Sequence, residues 1–172
     1  MTIDGSGHDM LSNCRNFAAA RKDRPYIIVT PLVWSNGHDS ADEVAVLDIA
    51  KEVQEQYHGE SKFYMTGFSA GANELWHVVF EHPELLAAAA SASGNFRRSG
   101  FSIVSTLPLR AQLPIHGFYG DNDLPYISNA WGWAQTFGNA NGYLNMHGTL
   151  IPKSGHWMDP EQVLDFFDTV RK

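Results

Sequence analysis

Ser69, Asp123 and His156 are the residues whose types and chain order could do nucleophilic chemistry. A hydroxyl is a weak nucleophile at its own pKa, so it needs a base, and the base needs a carboxylate to orient its imidazole. Ser69 is the centre of Gly67-Phe68-Ser69-Ala70-Gly71, a G-x-S-x-G pattern. Small residues two before and two after are what a sharp strand-to-helix turn requires if the central side chain is to stand clear. The pattern alone is weak evidence, because a chain with 15 Gly in 172 residues can produce it by composition. Its setting says more: "KFYMT" before it reads as a short strand, and "ANELWHVVFEH" after it as a helix ended by Pro83.

In that setting Ser69 stands at a helix N-terminus, where the backbone N–H of Ala70 and the helix dipole can stabilise a developing oxyanion. Asp121 and Asp123 follow the strand "PIHGFYG", and His156 follows the last strand in "IPKSGHWMDP". Reactive groups in open parallel sheets gather at the carboxyl ends of strands. Ser, Asp, His is also the chain order that hydrolases of this architecture use. Asp123 is favoured as the acid because it lies three residues past Gly120, where a tight turn aims its side chain back over the sheet edge. Asp121 is the alternative if the strand ends earlier.

The elements that must position these groups alternate along the chain. Met10, Leu11, Cys14, Phe17 and Ala18 have helical spacing, and Pro25 precedes the β-rich "YIIVT". "HDSADEVAVLDIAKEVQEQYHG" reads as a helix with Ser40 and Glu43 as its capping box and Gly59 past its end. "LLAAAASASG" reads as a strand covered on both faces, "SNAWGWAQTFG" as a helix and "YLNMHGTLI" as a strand. "DPEQVLDFFDTVRK" closes the chain as a helix capped by Asp159, with Pro160 at its first position. Such alternation predicts an α/β fold: a mostly parallel sheet with helices on both faces, in one domain over residues 1–172.

Composition narrows the function classes. With 44% hydrophobic residues the chain can build one real core. A net charge of −7 and the absence of any Lys/Arg run argue against nucleic acid as a partner. Cys14 is the single cysteine, which excludes an internal disulfide and a Cys-based zinc site. The most apolar stretch, "LLAAAASA", is far short of the roughly 18 residues a membrane span needs, so no membrane partner is expected. No basic segment followed by an apolar one opens the chain. A cytoplasmic location is the default expectation, with secretion the alternative for a trimmed N-terminus, and self-association is left open.

Taken in order, "GFSAGANELWHVVFEHPELLAAAASASG", "FYGDND" and "SGHW" resemble the α/β-hydrolase family. Within it they are similar to esterases of the polyhydroxybutyrate depolymerase and feruloyl esterase kind, and the resemblance covers most of the chain. It implies a serine carboxylesterase that works through an acyl-enzyme, with Ser69 as nucleophile, Asp123 as acid and His156 as general base. The implied substrate is a small-molecule or polymer-borne ester, with no cofactor and no metal. Such enzymes insert a lid at the place of residues 95–113, which are too few here for more than a small cap, so the resemblance implies an open cleft.

"DGSGHD" at 4–9 resembles the family's Gly-rich oxyanion loop, with Asp4 where a His commonly stands. The second oxyanion donor, beside Ala70, is then expected at Ser6 or Gly7. The family's first three strands would be absent. Because the third lies between the fourth and fifth, its loss predicts a gap inside the sheet, closed by direct pairing of "YIIVT" with "KFYMT" or by a partner chain.

Trp157 is expected to wall an acyl or aryl group, whereas Trp34, Trp131 and Trp133 are read as packing. His8-Asp9 and His38-Asp39 are read as loop residues and helix caps, His77 and His82 as facing solvent or capping a helix end, and Arg97-Arg98 as a solvated pair. The alternative functions are an inactive hydrolase-like binding or scaffold protein, and a thioesterase or peptidase using the same residues.

Overall fold

The computed structural model describes residues 1–7, 9–33, 40–97, 100–103 and 107–171, with only the backbone of Ser40. Strands β1 (Thr2–Ile3), β2 (Phe63–Phe68), β3 (Leu86–Ala92), β4 (Ile115–Gly120) and β5 (Met146–Ile151) form one sheet in chain order, and every neighbouring pair is parallel. A parallel connection must return the chain to the same end of the sheet, and helices make that crossover. Helices α1 (Met10–Arg21) and α2 (Ser40–Tyr57) join β1 to β2, and α3 (Gly71–Glu81) joins β2 to β3. The short α4 (Leu107–Gln112) precedes β4, α5 (Pro125–Ser128) and α6 (Ala130–Ala140) precede β5, and α7 (Pro160–Val170) follows it.

Alternate strand residues feed two cores, one on each face, as the two-residue period of a strand dictates. Met65, Ala89, Ile115 and Met146 cluster with Leu75, Trp76 and Val79 of α3 and Trp131 of α6. Ala88, Ala90 and Phe118 cluster with Phe17 of α1 and Val163, Leu164 and Phe167 of α7. β3 is therefore covered on both sides, as its alanine-rich sequence predicts. Trp131 lies across the paired glycines of β4 and β5: a Cβ on Gly117 or Gly148 would come within 2.2 or 2.3 Å of its indole. α7 begins as expected, with Asp159 Oδ1 accepting from the N–H groups of Glu161 (2.9 Å) and Gln162 (3.4 Å) and Pro160 at its first position.

The predicted gap in the sheet does not exist. Residues of this same chain fill it. β1 pairs with β2 in the register Thr2↔Thr66 and Ile3↔Gly67, and the Thr66 N–H donates to Met1 O at 3.0 Å. On its other side the Thr2 N–H donates to Val29 O at 2.8 Å. "YIIVT" thus lies beyond β1 rather than against β2, and it does not form a ladder strand. Two paired residues are too few for any hydrophobic period to reveal, and prolines at 25 and 31 bracket the neighbouring segment, which limits its ladder.

His77 is also not solvent-facing, being only 5% exposed. α3 is buried on almost every side from Gly71 to Phe80, so a polar residue on it meets another element instead of water. His77 Nδ1 lies 2.9 Å from Glu81 Oε1, and its ring packs on Phe101. His82 Nε2 lies 2.9 Å from Glu43 Oε1 and ties the end of α3 to α2. Within the 95–113 segment, Phe96 and Phe101 pack into an aromatic cluster with Phe80 and Phe137 and so belong to the core. No helix among the described residues is long and apolar enough to cross a membrane.

Candidate active site

β2 ends at Phe68 and α3 begins at Gly71, so two residues must reverse the chain. Ser69 does this at φ 50°, in the left-handed region that costs a side-chain-bearing residue on the order of 1 kcal/mol. The surrounding chain holds it there. The Ser69 N–H donates to Ala92 O (3.3 Å), and Ser69 O accepts from the N–H groups of Asn95 (2.9 Å) and Ala72 (3.2 Å). Both flanking glycines are demanded by close approach. A Cβ on Gly67 would sit 2.6 Å from Gly71 O, and one on Gly71 would sit 2.3 Å from Asp4 O.

Asp123 and His156 meet at the neighbouring strand ends. His156 Nδ1 lies 2.9 Å from Asp123 Oδ1, which also accepts from the Leu124 N–H at 2.7 Å. The Asp123 side chain is fully enclosed, while that of His156 is one-third exposed. An ionised carboxylate can only accept, so Nδ1 is the donor in this hydrogen bond and Nε2 is the ring nitrogen not engaged by Asp123. Asp121 is used differently: its Oδ1 accepts from the Lys153 N–H at 2.6 Å and closes the ends of β4 and β5. The two loops are also packed together, since the Asn122 N–H donates to Ser154 O (3.0 Å) and a Cβ on Gly120 would sit 2.1 Å from that oxygen.

Phe68 links the serine to the histidine, its ring lying on His156 with centroids 4.9 Å apart and planes tilted by 35°. Among the described residues no hydrogen bond joins the Ser69 hydroxyl to His156, whose ring is held by Asp123. Such bonds are commonly long before substrate binds.

Ala70 is buried at the start of α3, where helix N–H groups lack intrahelical acceptors. Ser6 and Gly7 lie on an exposed turn, and a Cβ added to Gly7 would meet nothing within 4 Å. The residue of that loop set against the serine is Gly5, on which a Cβ would be 3.0 Å from Ser69 Cβ. Sequence reasoning missed Gly5, although its place directly after Asp4 in "DGSG" was an available signal. Asp4 itself shapes the loop: its Oδ2 accepts from the Asp9 N–H (2.9 Å), and Asp9 caps α1 by accepting from the Ser12 N–H (3.0 Å).

Trp157 follows His156 and is 62% exposed, and the large apolar residues Leu124 and Tyr126, just after Asp123, are also exposed. Trp133 is exposed on α6, and Arg97 is exposed. Glu43, His77 and Glu81 bring ligand-type atoms within 4.8 Å of one another, in the cluster that joins α2 to α3. Trp34, His8, His38, Asp39 and Arg98 lie outside the described residues.

A parallel sheet covered by helices on both faces, with a tight serine turn leading from β2 into α3, defines the α/β-hydrolase fold, and this chain has it. Among solved structures it is similar to poly(aspartic acid) hydrolase-1 from Sphingomonas sp. KT-1, with a TM-score of 0.71 at 14% identity over 98% of this chain and 85% of that one. It is also similar to the Bacillus cereus carboxylesterase, with a TM-score of 0.69 at 16% identity over 99% of this chain and 87% of that one. A thermostable esterase matches 75% of this chain at 23% identity with a TM-score of 0.51, and there the chain spans only 33% of the longer protein. No protein-family model and no curated protein matches the chain.

Proposed function

We propose that this protein is a serine hydrolase of carboxylic esters. The observation that carries the reading is the Asp123–His156 hydrogen bond of 2.9 Å at the sheet edge where Ser69 is held in its strained turn. Ser69 Oγ bonds to the acyl carbon while its proton passes to His156 Nε2 and the carbonyl electrons move onto oxygen. Collapse of that intermediate breaks the bond to the alcohol oxygen, which leaves with the proton from Nε2. Water then attacks the acyl-enzyme by the same route and regenerates Ser69. Asp123 keeps the imidazole in the required tautomer throughout. The oxyanion is stabilised by the Ala70 N–H and by a second N–H from the turn anchored at Gly5, with Ser6 ahead of Gly7.

Similarity of fold to esterases supports ester hydrolysis as the reaction. The exposed Trp157, Leu124 and Tyr126 suit an apolar group on the substrate, and the net charge of −7 disfavours a polyanionic one. β1 also fills the sheet beside β2, so the strand that leads to Ser69 is paired on both sides.

Fluorophosphonate labelling alongside p-nitrophenyl acetate hydrolysis tests the reading. The folded wild type is expected to label and to turn over, and a folded protein that does neither would sink the proposal. Asp123→Asn should lower kcat by about 10³- to 10⁴-fold, whereas Asp121→Asn should stay within about threefold of wild type. Equal losses would reassign the acid. Trp157→Ala should raise KM about three- to tenfold for aryl esters with kcat nearly unchanged. An unchanged KM would remove Trp157 from the substrate site.

A further inference from the structure

We propose that Ser93 is a positioning residue that sets the His156 loop relative to Ser69; this rests on the ester-hydrolase reading above. The turn after β3 touches all three segments of the site. Ala92 O accepts from the Ser69 N–H, and the Asn95 N–H donates to Ser69 O, so the turn grips the serine backbone from both sides. The Ser93 N–H donates to Phe118 O (2.8 Å) on β4, the strand that leads to Asp123. The Ser93 hydroxyl then reaches the residue beside His156: it donates to Trp157 O at 2.9 Å and accepts from the Trp157 N–H at 3.4 Å.

Backbone geometry separates the hydroxyl's role from that of the turn. Ser93 is buried, with 1% exposure, at φ 41°, a conformation that glycine adopts without strain. Conformation alone therefore gives no reason for a side chain at this position, and the two bonds to Trp157 do. The ring of His156 is held by Asp123 and Phe68, while Ser93 fixes the backbone of the residue next to it. Without that tie the imidazole keeps its acid but loses its register on Ser69. A misplacement of about 1 Å at a reacting group costs on the order of 10²-fold in rate.

Ser93→Ala and Ser93→Gly in the full chain test this, read by kcat and KM for p-nitrophenyl acetate, by melting temperature, and by the His156 ring ¹⁵N and Cε1–H shifts. Those signals are assigned by their loss in His156→Gln, and the Phe68 ring makes them sensitive to position. Both variants should lose about ten- to a hundredfold in kcat, with KM within about twofold, and should shift or broaden the His156 signals. Ser93→Gly, freed of the strain, should melt no lower than Ser93→Ala, and with a melting temperature well above the assay temperature its loss of rate cannot be put down to unfolding. A folded Ser93→Gly with wild-type kcat and unmoved His156 signals overturns the proposal. If the wild type neither labels nor hydrolyses, the ester-hydrolase reading fails, and the signals alone decide: a shift in both variants upholds the positioning role, and no shift overturns it.

Discussion

Ser69→Ala is expected to abolish fluorophosphonate labelling and to lower p-nitrophenyl acetate turnover by at least about 10³-fold, with the fold intact. In the proposed mechanism the loss is large because base, acid and oxyanion donors all act through one oxygen, and none can replace it as the attacking atom. Stability should barely change. Alanine at φ 50° bears the same backbone strain as serine, and the bonds that hold the turn run through the Ser69 main chain to Ala92, Asn95 and Ala72. A melting temperature within about 2 °C of wild type is the expected control. Labelling that survives the substitution would move the nucleophile elsewhere in the chain.

Gly71→Ala should produce a large loss of stability. Its Cβ would meet Asp4 O at 2.3 Å, Ile3 O at 2.7 Å and Ile3 Cγ2 at 2.9 Å. Two of those atoms are backbone, so the clash is relieved only by moving β1 or the start of α3. β1 is tied on one side to β2 and on the other to Val29, which leaves little freedom to give way. Overpacking of this kind costs about 3 kcal/mol, which lowers the melting temperature by about 6 to 12 °C in a chain of this size. Activity should fall with it, because a displaced β1 carries Gly5 away from Ser69. Gly132→Ala at an exposed position of α6, where nothing lies within 4 Å of the added Cβ, should instead stabilise by about 0.5–1 kcal/mol. A Gly71→Ala protein that melts with wild type would show that β1 does not buttress the serine turn.

What could be read without coordinates was local. The strands and the three longer helices from "KFYMT" onward, the cap at Asp159 and the covered alanine strand each follow from periods and punctuation spanning a dozen residues or fewer, whereas the short α4 and α5 do not. The preference for Asp123 over Asp121 rested on distance from the end of β4, and that distance is what puts Asp123 on His156 and leaves Asp121 to close a turn. The burial of His77 was misread because one polar residue on a helix implies an exposed face, whereas here neighbours cover the whole of α3.

The sequence by itself determined the strands β2 to β5, the main helices between and after them, and the serine turn, because steric and hydrogen-bonding preferences of near neighbours decide those. Only the tertiary structure decided that Thr2–Ile3 closes the sheet, that Gly5 faces Ser69 and that Ser93 holds Trp157. Each of these joins residues some sixty positions apart, through backbone groups or a single hydroxyl, which leave no periodic mark on the sequence.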